Sequence, residues 1–122
     1  MAETKVTGRE LADDYSTNEV NTGRKWIDGK PIYRKTVSFG ALPNSAQKQV
    51  AHGITNVEYF VRFDAMSRSA TGTTFSLPWV NNTNSTSGQI SLHLDATNIN
   101  IFATTDRTSL TTTFVTLEYT KT

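Results

Sequence analysis

The stretch NVEYFVRFDAM, residues 56–66, is the strongest strand signal in the chain. Its apolar side chains alternate with polar ones, and the apolar positions are Val57, Tyr59, Val61, Phe63 and Ala65. Because successive side chains of a strand point to opposite faces, this period of two predicts a strand with one buried face. Two apolar residues, Phe60 and Met66, interrupt the polar face, so we expect a neighbour to cover that face in part.

Further segments carry the same alternation or a shorter form of it, and turn-forming residues separate them. They are residues 32–39, 74–80, 89–95, 98–104 and 111–120. The dipeptide Ala96-Thr97 lies between two of these segments, which predicts a hairpin there. About six or seven short strands at near-even spacing predict an all-β fold, an antiparallel β-sandwich of jelly-roll-like type.

The composition agrees with a sheet protein and argues against several partners. A chain of 122 residues has room for one domain, and it contains no cysteine for disulfides, thiolate metal sites or nucleophiles. The net charge of +1 comes without a basic cluster, so we expect no nucleic-acid partner. No stretch approaches about 20 apolar residues, and the N-terminus lacks a signal peptide's apolar core. We therefore expect no membrane insertion, and we expect that the protein is synthesised in a cytoplasm.

The N-terminal residues differ from the rest in pattern. Residues 1–25 are polar and weakly patterned, whereas residues 26–122 carry the strand signals. We therefore predict an extended N-terminal arm, residues 1–25, followed by a β-sandwich domain, residues 26–122. An ordered polar arm needs a surface to lie on, which makes it a candidate assembly contact with a neighbouring subunit.

No catalytic or metal-binding motif is present. The two histidines, His52 and His93, lie on different predicted elements without a third ligand at suitable spacing, so we predict no metal site. A nucleophile elbow and a Gly-rich phosphate loop are both absent, so we predict no cofactor. Four carboxylates leave a small glycan hydrolase as an alternative, although acids on strand exteriors are usually solvated: Asp64, Asp95, Asp106 and Glu118. We expect a protein that is not an enzyme.

Two polar loops carry the candidate binding residues. Trp79 borders the loop of residues 81–88, which has no apolar side chain, and a second loop spans residues 105–109. An aromatic ring flanked by amide groups is a suitable platform for a sugar ring. The candidate residues for a glycan or receptor are Trp79, Asn81, Asn82, Asn84, Asp106 and Arg107. The more frequent alternative for such a tryptophan is to close the end of a barrel or to lie at a subunit interface.

The run WIDGKPIYRK, residues 26–35, has the residues of a structural corner. Asp28-Gly29 favours a tight turn because glycine accepts a positive φ, and Pro31 stiffens the entry into the next strand. We expect Trp26 and Tyr33 to pack on both sides of this turn. None of these residues implies a reactive group.

The same run resembles a pattern, Trp-x-Asp-Gly-Lys-Pro-Ile-Tyr-x-Lys, found near the C-terminal end of many bacteriophage tail-fibre, baseplate and related virion proteins. Weaker similarity extends from Tyr15 to the last residue, through Leu42-Pro43-Asn44 and Asn98-Ile99-Asn100-Ile101. The resemblance implies a β-sandwich that assembles as a homo-oligomer, with a trimer favoured, and that projects loops at a tip.

The resemblance also implies a role in the virion. Domains of this class bind bacterial surface glycans or serve as fibre heads and particle decorations, and the arm would contact other virion proteins. Here the pattern fills nearly the whole chain, which starts at a methionine. We therefore expect either an excised domain or a standalone virion protein. The alternative function is a capsid decoration protein without receptor binding.

Overall fold

The computed structural model describes residues 14–80 and 88–122, and these residues form eight β-strands and no α-helix. The strands are β1 Val20–Lys25, β2 Pro31–Ser38, β3 Gln47–Ala51, β4 Val57–Ser69, β5 Thr74–Leu77, β6 Ile90–Leu94, β7 Asn98–Ala103 and β8 Leu110–Lys121. One sheet has the order β1-β2-β8-β4-β5, and the other has the order β3-β7-β6. This antiparallel β-sandwich confirms the predicted fold class. Within the described ranges, no helix with the length and apolarity of a membrane span occurs.

The chain divides into two compact units. The described residues of unit 1 are 14–36, 55–63 and 116–122, and those of unit 2 are 37–54, 64–80 and 88–115. The strands β2, β4 and β8 contribute residues to both units. Residues 1–13 of the predicted arm lie outside the described residues, whereas β1 belongs to the five-stranded sheet.

Unit 1 contains the β1–β2 hairpin, which turns at the predicted corner. Gly29 N donates to Trp26 O at 2.9 Å, and Trp26 N donates to Lys30 O at 2.9 Å. These two bonds close a hairpin loop of three residues, 27–29. The last of them, Gly29, has a φ of 87°, in the left-handed region. Asp28 Oδ1 accepts from Lys30 N at 3.0 Å, which stabilises the same turn.

The core of unit 1 is built on β8 and on the aromatic rings beside it. Leu117 and Tyr119 are fully buried, and Ile32 of β2 is nearly so. The ring of Tyr119 stacks on Tyr33 with centroids 6.2 Å apart and meets the edge of Phe60 at 6.1 Å. Aromatic packing of this kind adds roughly 0.5–1.5 kcal/mol per pair to the burial of the rings.

Unit 2 holds the two-layered core. The three-stranded sheet turns Ile90, Ile99 and Ile101 inward, and each is at most 1% exposed. Leu77 and Val115 of the other sheet are buried as well. Burial of each such side chain stabilises the fold by roughly 1.5–3 kcal/mol, so this core is the main source of stability in unit 2. The predicted hairpin at Ala96-Thr97 is confirmed, because β6 and β7 pair around it.

The burial of β4 differs from the prediction made for residues 56–66. The strand is present and runs to Ser69, but Tyr59 is 54% exposed and Phe63 is 39% exposed, whereas Ala65 is buried. All the strands of unit 1 belong to the same sheet, so unit 1 has no second sheet among its described residues to cover these side chains. The expectation of a single buried face along the whole strand was therefore wrong in its first half.

Candidate functional site

Trp79 and Arg107, two of the residues predicted to bind a ligand, come together in unit 2. The guanidinium carbon of Arg107 lies 5.1 Å from the centre of the Trp79 ring and 5.4 Å from that of Phe75. The rings of Phe75 and Trp79 meet edge to face at 4.9 Å and 85°. A cation over aromatic faces is stabilised by their quadrupoles. The three side chains therefore pack as one group, here called the Trp79–Arg107 cluster.

Backbone hydrogen bonds hold the Trp79–Arg107 cluster in place. Trp79 follows β5 and pairs with Ile90 through two bonds, Trp79 N to Ile90 O at 2.9 Å and Ile90 N to Trp79 O at 2.8 Å. Arg107 N donates to Pro43 O at 3.1 Å, and its Nη2 donates to Gly88 O at 3.0 Å. Both residues are therefore held in connections between strands, Trp79 between β5 and β6 and Arg107 between β7 and β8.

An open depression of about 400 Å³ lies beside the Trp79–Arg107 cluster. Hydroxyl-bearing and apolar side chains line it together with one cation. Its lining residues are Ser69, Ala70, Thr71, Thr73, Phe75, Arg107, Ser109 and Leu110. The size falls within the range of roughly 300–1,000 Å³ that is usual for small-molecule sites.

Asp106 belongs to the same loop as Arg107 but does not line the depression. Its Oδ1 accepts from Thr108 Oγ1 at 2.7 Å and from Thr108 N at 3.0 Å. These two hydrogen bonds, the side-chain one first, lower the pKa of the Asp106 carboxyl. The carboxylate of Asp106 therefore stabilises the turn of its own loop at Thr108. The other candidates, Asn81, Asn82 and Asn84, lie outside the described residues.

The carboxylate of Asp95 is held by the turn between β6 and β7. Its Oδ2 accepts from Asn100 Nδ2 at 2.9 Å, and its Oδ1 accepts from Thr97 N at 2.9 Å and from Asn98 N at 2.7 Å. The bonds from Asn100, Thr97 and Asn98 lower the pKa of Asp95 to about 2. The other two candidate acids are Glu118, which lies 3.7 Å from Arg34 Nη1, and the exposed Asp64.

His52 is a buried connector. Its side chain is only 1% exposed, its Nδ1 accepts from Ile54 N at 3.1 Å, and its Nε2 lies 3.1 Å from Asp95 O. One accepting and one donating nitrogen match the neutral imidazole with the proton on Nε2. His93 is exposed on β6. In residues 14–80 and 88–122, no group of three or more histidine, aspartate or glutamate side chains could hold a metal ion.

Unit 1 exposes an apolar surface at the predicted corner that sequence reasoning missed. A depression of about 400 Å³ is lined by Trp26, Ile27, Asp28, Tyr59, Phe60 and Val61, here called the unit 1 patch. Ile27 at the tip of the turn is 89% exposed. The missed signal was Ile27 itself, since a large aliphatic side chain in a three-residue hairpin loop cannot turn into the sheet.

Comparison with known proteins gave no match: no family model, no curated protein and no solved structure is similar to this chain. The resemblance of residues 26–35 to virion proteins therefore stays a prediction, and the site must be interpreted from its own chemistry.

Proposed function

We propose that this chain is a non-catalytic domain of a bacteriophage virion, a tail-fibre or head-fibre domain that attaches the particle to the host surface. The observation that carries the proposal is the convergence of Trp79 and Arg107 beside a hydroxyl-lined depression. The two residues are far apart in the sequence, yet both lie on loops at one edge of a rigid sandwich. Loops on a rigid scaffold are the usual place for binding residues.

The chemistry of the depression suits a glycan. An aromatic ring offers an apolar face to the C–H groups of a sugar, and neighbouring hydroxyl groups both donate to and accept from its hydroxyls. Phe75 supplies the aromatic ring that lines the depression, Trp79 packs against Phe75 beside it, and Thr71 and Ser109 at the depression are exposed. A bacterial surface glycan is therefore the receptor class that this site fits best.

The unit 1 patch supports the assembly part of the proposal. Exposed apolar area that is grouped in one place is a common mark of a protein interface. Ile27 and Tyr59 supply such an area, and a second copy of this chain would bury it. We propose a homo-oligomer, with a trimer favoured by the resemblance, and contact of residues 1–25 with other virion proteins.

The unit 1 patch also favours the second candidate function, a capsid decoration protein without receptor binding, because particle attachment alone would explain that surface. A small glycan hydrolase is less well supported. A glycosidase needs one carboxylic acid that stays protonated, and the pKa values of both Asp95 and Asp106 are lowered.

Binding of the purified domain to bacterial surface polysaccharides tests the proposal. We expect retention on at least one polysaccharide of the host and loss of that retention in Trp79→Ala. Phe102→Ala is the matched control, since Phe102 is an aromatic residue with 41% exposure that lies on β7 and does not line the depression. A correctly assembled wild-type domain that binds no host polysaccharide would leave the decoration function as the better account.

A further inference from the structure

We propose that the depression beside the Trp79–Arg107 cluster selects a negatively charged sugar, whose carboxylate or phosphate group is bound by Arg107. This inference rests on the proposed glycan-binding function and adds the class of glycan. It is carried by the charge, the hydrogen-bonding state and the position of one side chain.

The charge of the depression comes from Arg107. Among the described residues that line the depression, Arg107 alone is charged, and the other side chains are hydroxyl-bearing or apolar. The neighbouring acid, Asp106, directs its carboxylate to Thr108. No ion pair among the described residues involves Arg107. The depression thus carries a positive charge that these residues do not neutralise.

The Arg107 guanidinium has hydrogen-bonding capacity that the described residues do not use. A guanidinium has five N–H donors, and one side-chain bond to the described residues uses Nη2, with Gly88 O as the acceptor. Nε is buried and has no hydrogen-bond partner among those residues. A partly buried cation in this state is stabilised when an anion approaches its remaining donors, because such charge-assisted bonds are short and strong.

The Arg107 side chain is preorganised. Its guanidinium packs against the adjacent rings of Phe75 and Trp79, at 5.4 and 5.1 Å, and the backbone N–H of Arg107 is bonded to Pro43 O. A ligand therefore does not have to order a flexible arginine, which lowers the entropic cost of binding. An arginine with only a structural role would pack on the rings equally well, so the test must distinguish packing from ligand binding.

Titration calorimetry with three probes makes this separation. The probes are an oligogalacturonate, which carries carboxylates, a poly(glycerol phosphate) oligomer, which carries phosphates, and a neutral galacto-oligosaccharide of the same length. We expect the wild-type domain to bind at least one anionic probe about 10- to 100-fold more tightly than the neutral one. The anionic probe that binds identifies the source of the charge.

Two variants assign the effect to Arg107. Arg107→Gln should remove the 10- to 100-fold preference for the anionic probe, whereas Arg107→Lys should keep part of the preference. Arg62→Gln is the matched control, because Arg62 is exposed on β4 and does not line the depression. If Arg107→Gln does not fold, the wild-type preference should still shrink as sodium chloride rises from 50 to 500 mM.

Two outcomes would overturn the inference. Equal affinity for the anionic and neutral probes, lost in Trp79→Ala, would refute the charge selection and leave the glycan-binding function standing. A charge preference of the same size in Arg107→Gln and wild type would place the anion elsewhere. Binding of none of the probes would also overturn the inference, and retention on host polysaccharide would then decide the broader function separately.

Discussion

At the scale of single residues, His52 makes stabilising hydrogen bonds that its place before a glycine does not suggest. It joins the end of β3 to the β6–β7 turn through Asp95 O, and it also caps the backbone of Ile54. His52→Ala should lower the free energy of unfolding by about 2–4 kcal/mol, because the change leaves a cavity and removes the partner of the buried Ile54 N and of the part-buried Asp95 O. Denaturant unfolding measures this loss.

His93→Ala is the control for that prediction. His93 is exposed on the outer face of β6, so its replacement should change the free energy of unfolding by less than about 0.5 kcal/mol. Equal effects of the two substitutions would contradict the assignment of His52 as the buried connector.

Asp95 predicts a pH dependence of stability. Its pKa is lowered from 3.8 to about 2 by the bonds from Asn100, Thr97 and Asn98. A carboxyl whose folded-state pKa is lowered contributes stability that is present above its unfolded value and is lost as the pH falls through the folded value. The contribution of Asp95 should therefore be complete above about pH 4 and disappear toward pH 2.

The measurement is the free energy of unfolding of wild type and Asp95→Asn at intervals between pH 5 and pH 2. The difference between the two proteins should be largest at the upper end and shrink as the pH falls. A difference that stays constant over this range would show that the charge of Asp95 is not what its hydrogen bonds stabilise.

At the scale of the elements, a hydrogen bond fastens the segment before β1 to β8. Tyr119 Oη donates to Glu19 Oε1 at 2.7 Å, and Lys121 Nζ donates to the same carboxylate at 2.9 Å. Burial raises the pKa of Glu19, but the bonds from Tyr119 and Lys121 outweigh it, so the net direction is downward. Burial, together with the bond to Glu19, raises the pKa of Tyr119.

Tyr119→Phe should therefore destabilise the protein by about 1–2 kcal/mol, since it removes a hydrogen bond to a charged acceptor and keeps the ring. Thermal unfolding measures the change. Tyr33→Phe is the control, because Tyr33 stacks on Tyr119 but its hydroxyl makes no hydrogen bond to the described residues. A larger effect in the control than in Tyr119→Phe would contradict the stabilising role of the Tyr119–Glu19 hydrogen bond.

The elements also show what a sequence can reveal. The strands β7 and β8 were predictable because a buried face forces alternation, and β4 was predictable because its apolar and polar side chains alternate even where Tyr59 and Phe63 are exposed. The strands β1 and β3 were not predicted, since their segments are polar at most positions and show no apolar period.

The candidate site was predictable in part. Composition and loop position singled out Trp79 and Arg107, but their contact with each other and with Phe75 depends on tertiary packing, which no local pattern encodes. The exposure of Tyr59 was missed for the same reason, because alternation marks a face of a strand without showing whether another layer covers it.

At the scale of the whole molecule, the proposed oligomer makes the unit 1 patch the place to perturb. Ile27→Glu should lower the solution mass from a multiple of 13.5 kDa to that of one chain, because a carboxylate cannot be buried in an apolar contact without a large cost. Its folded stability should change little, since Ile27 is 89% exposed. Light scattering at several concentrations measures the mass.

Thr112→Glu is the control for this prediction, because Thr112 is exposed on β8 and lies outside the unit 1 patch. We expect it to keep the wild-type mass. A wild-type chain that remains a monomer at every concentration would contradict the assembly through this patch and leave the decoration function in a stronger position.

Competition for adsorption tests the central claim most directly. Purified, assembled domain is added to host cells before phage particles that carry the same chain, and free particles are counted after adsorption. We predict that wild-type domain reduces adsorption as its concentration rises, whereas Trp79→Ala does not and Phe102→Ala does. Adsorption that stays unchanged at saturating wild-type domain, while the domain is present in the particles, would contradict receptor binding through this site.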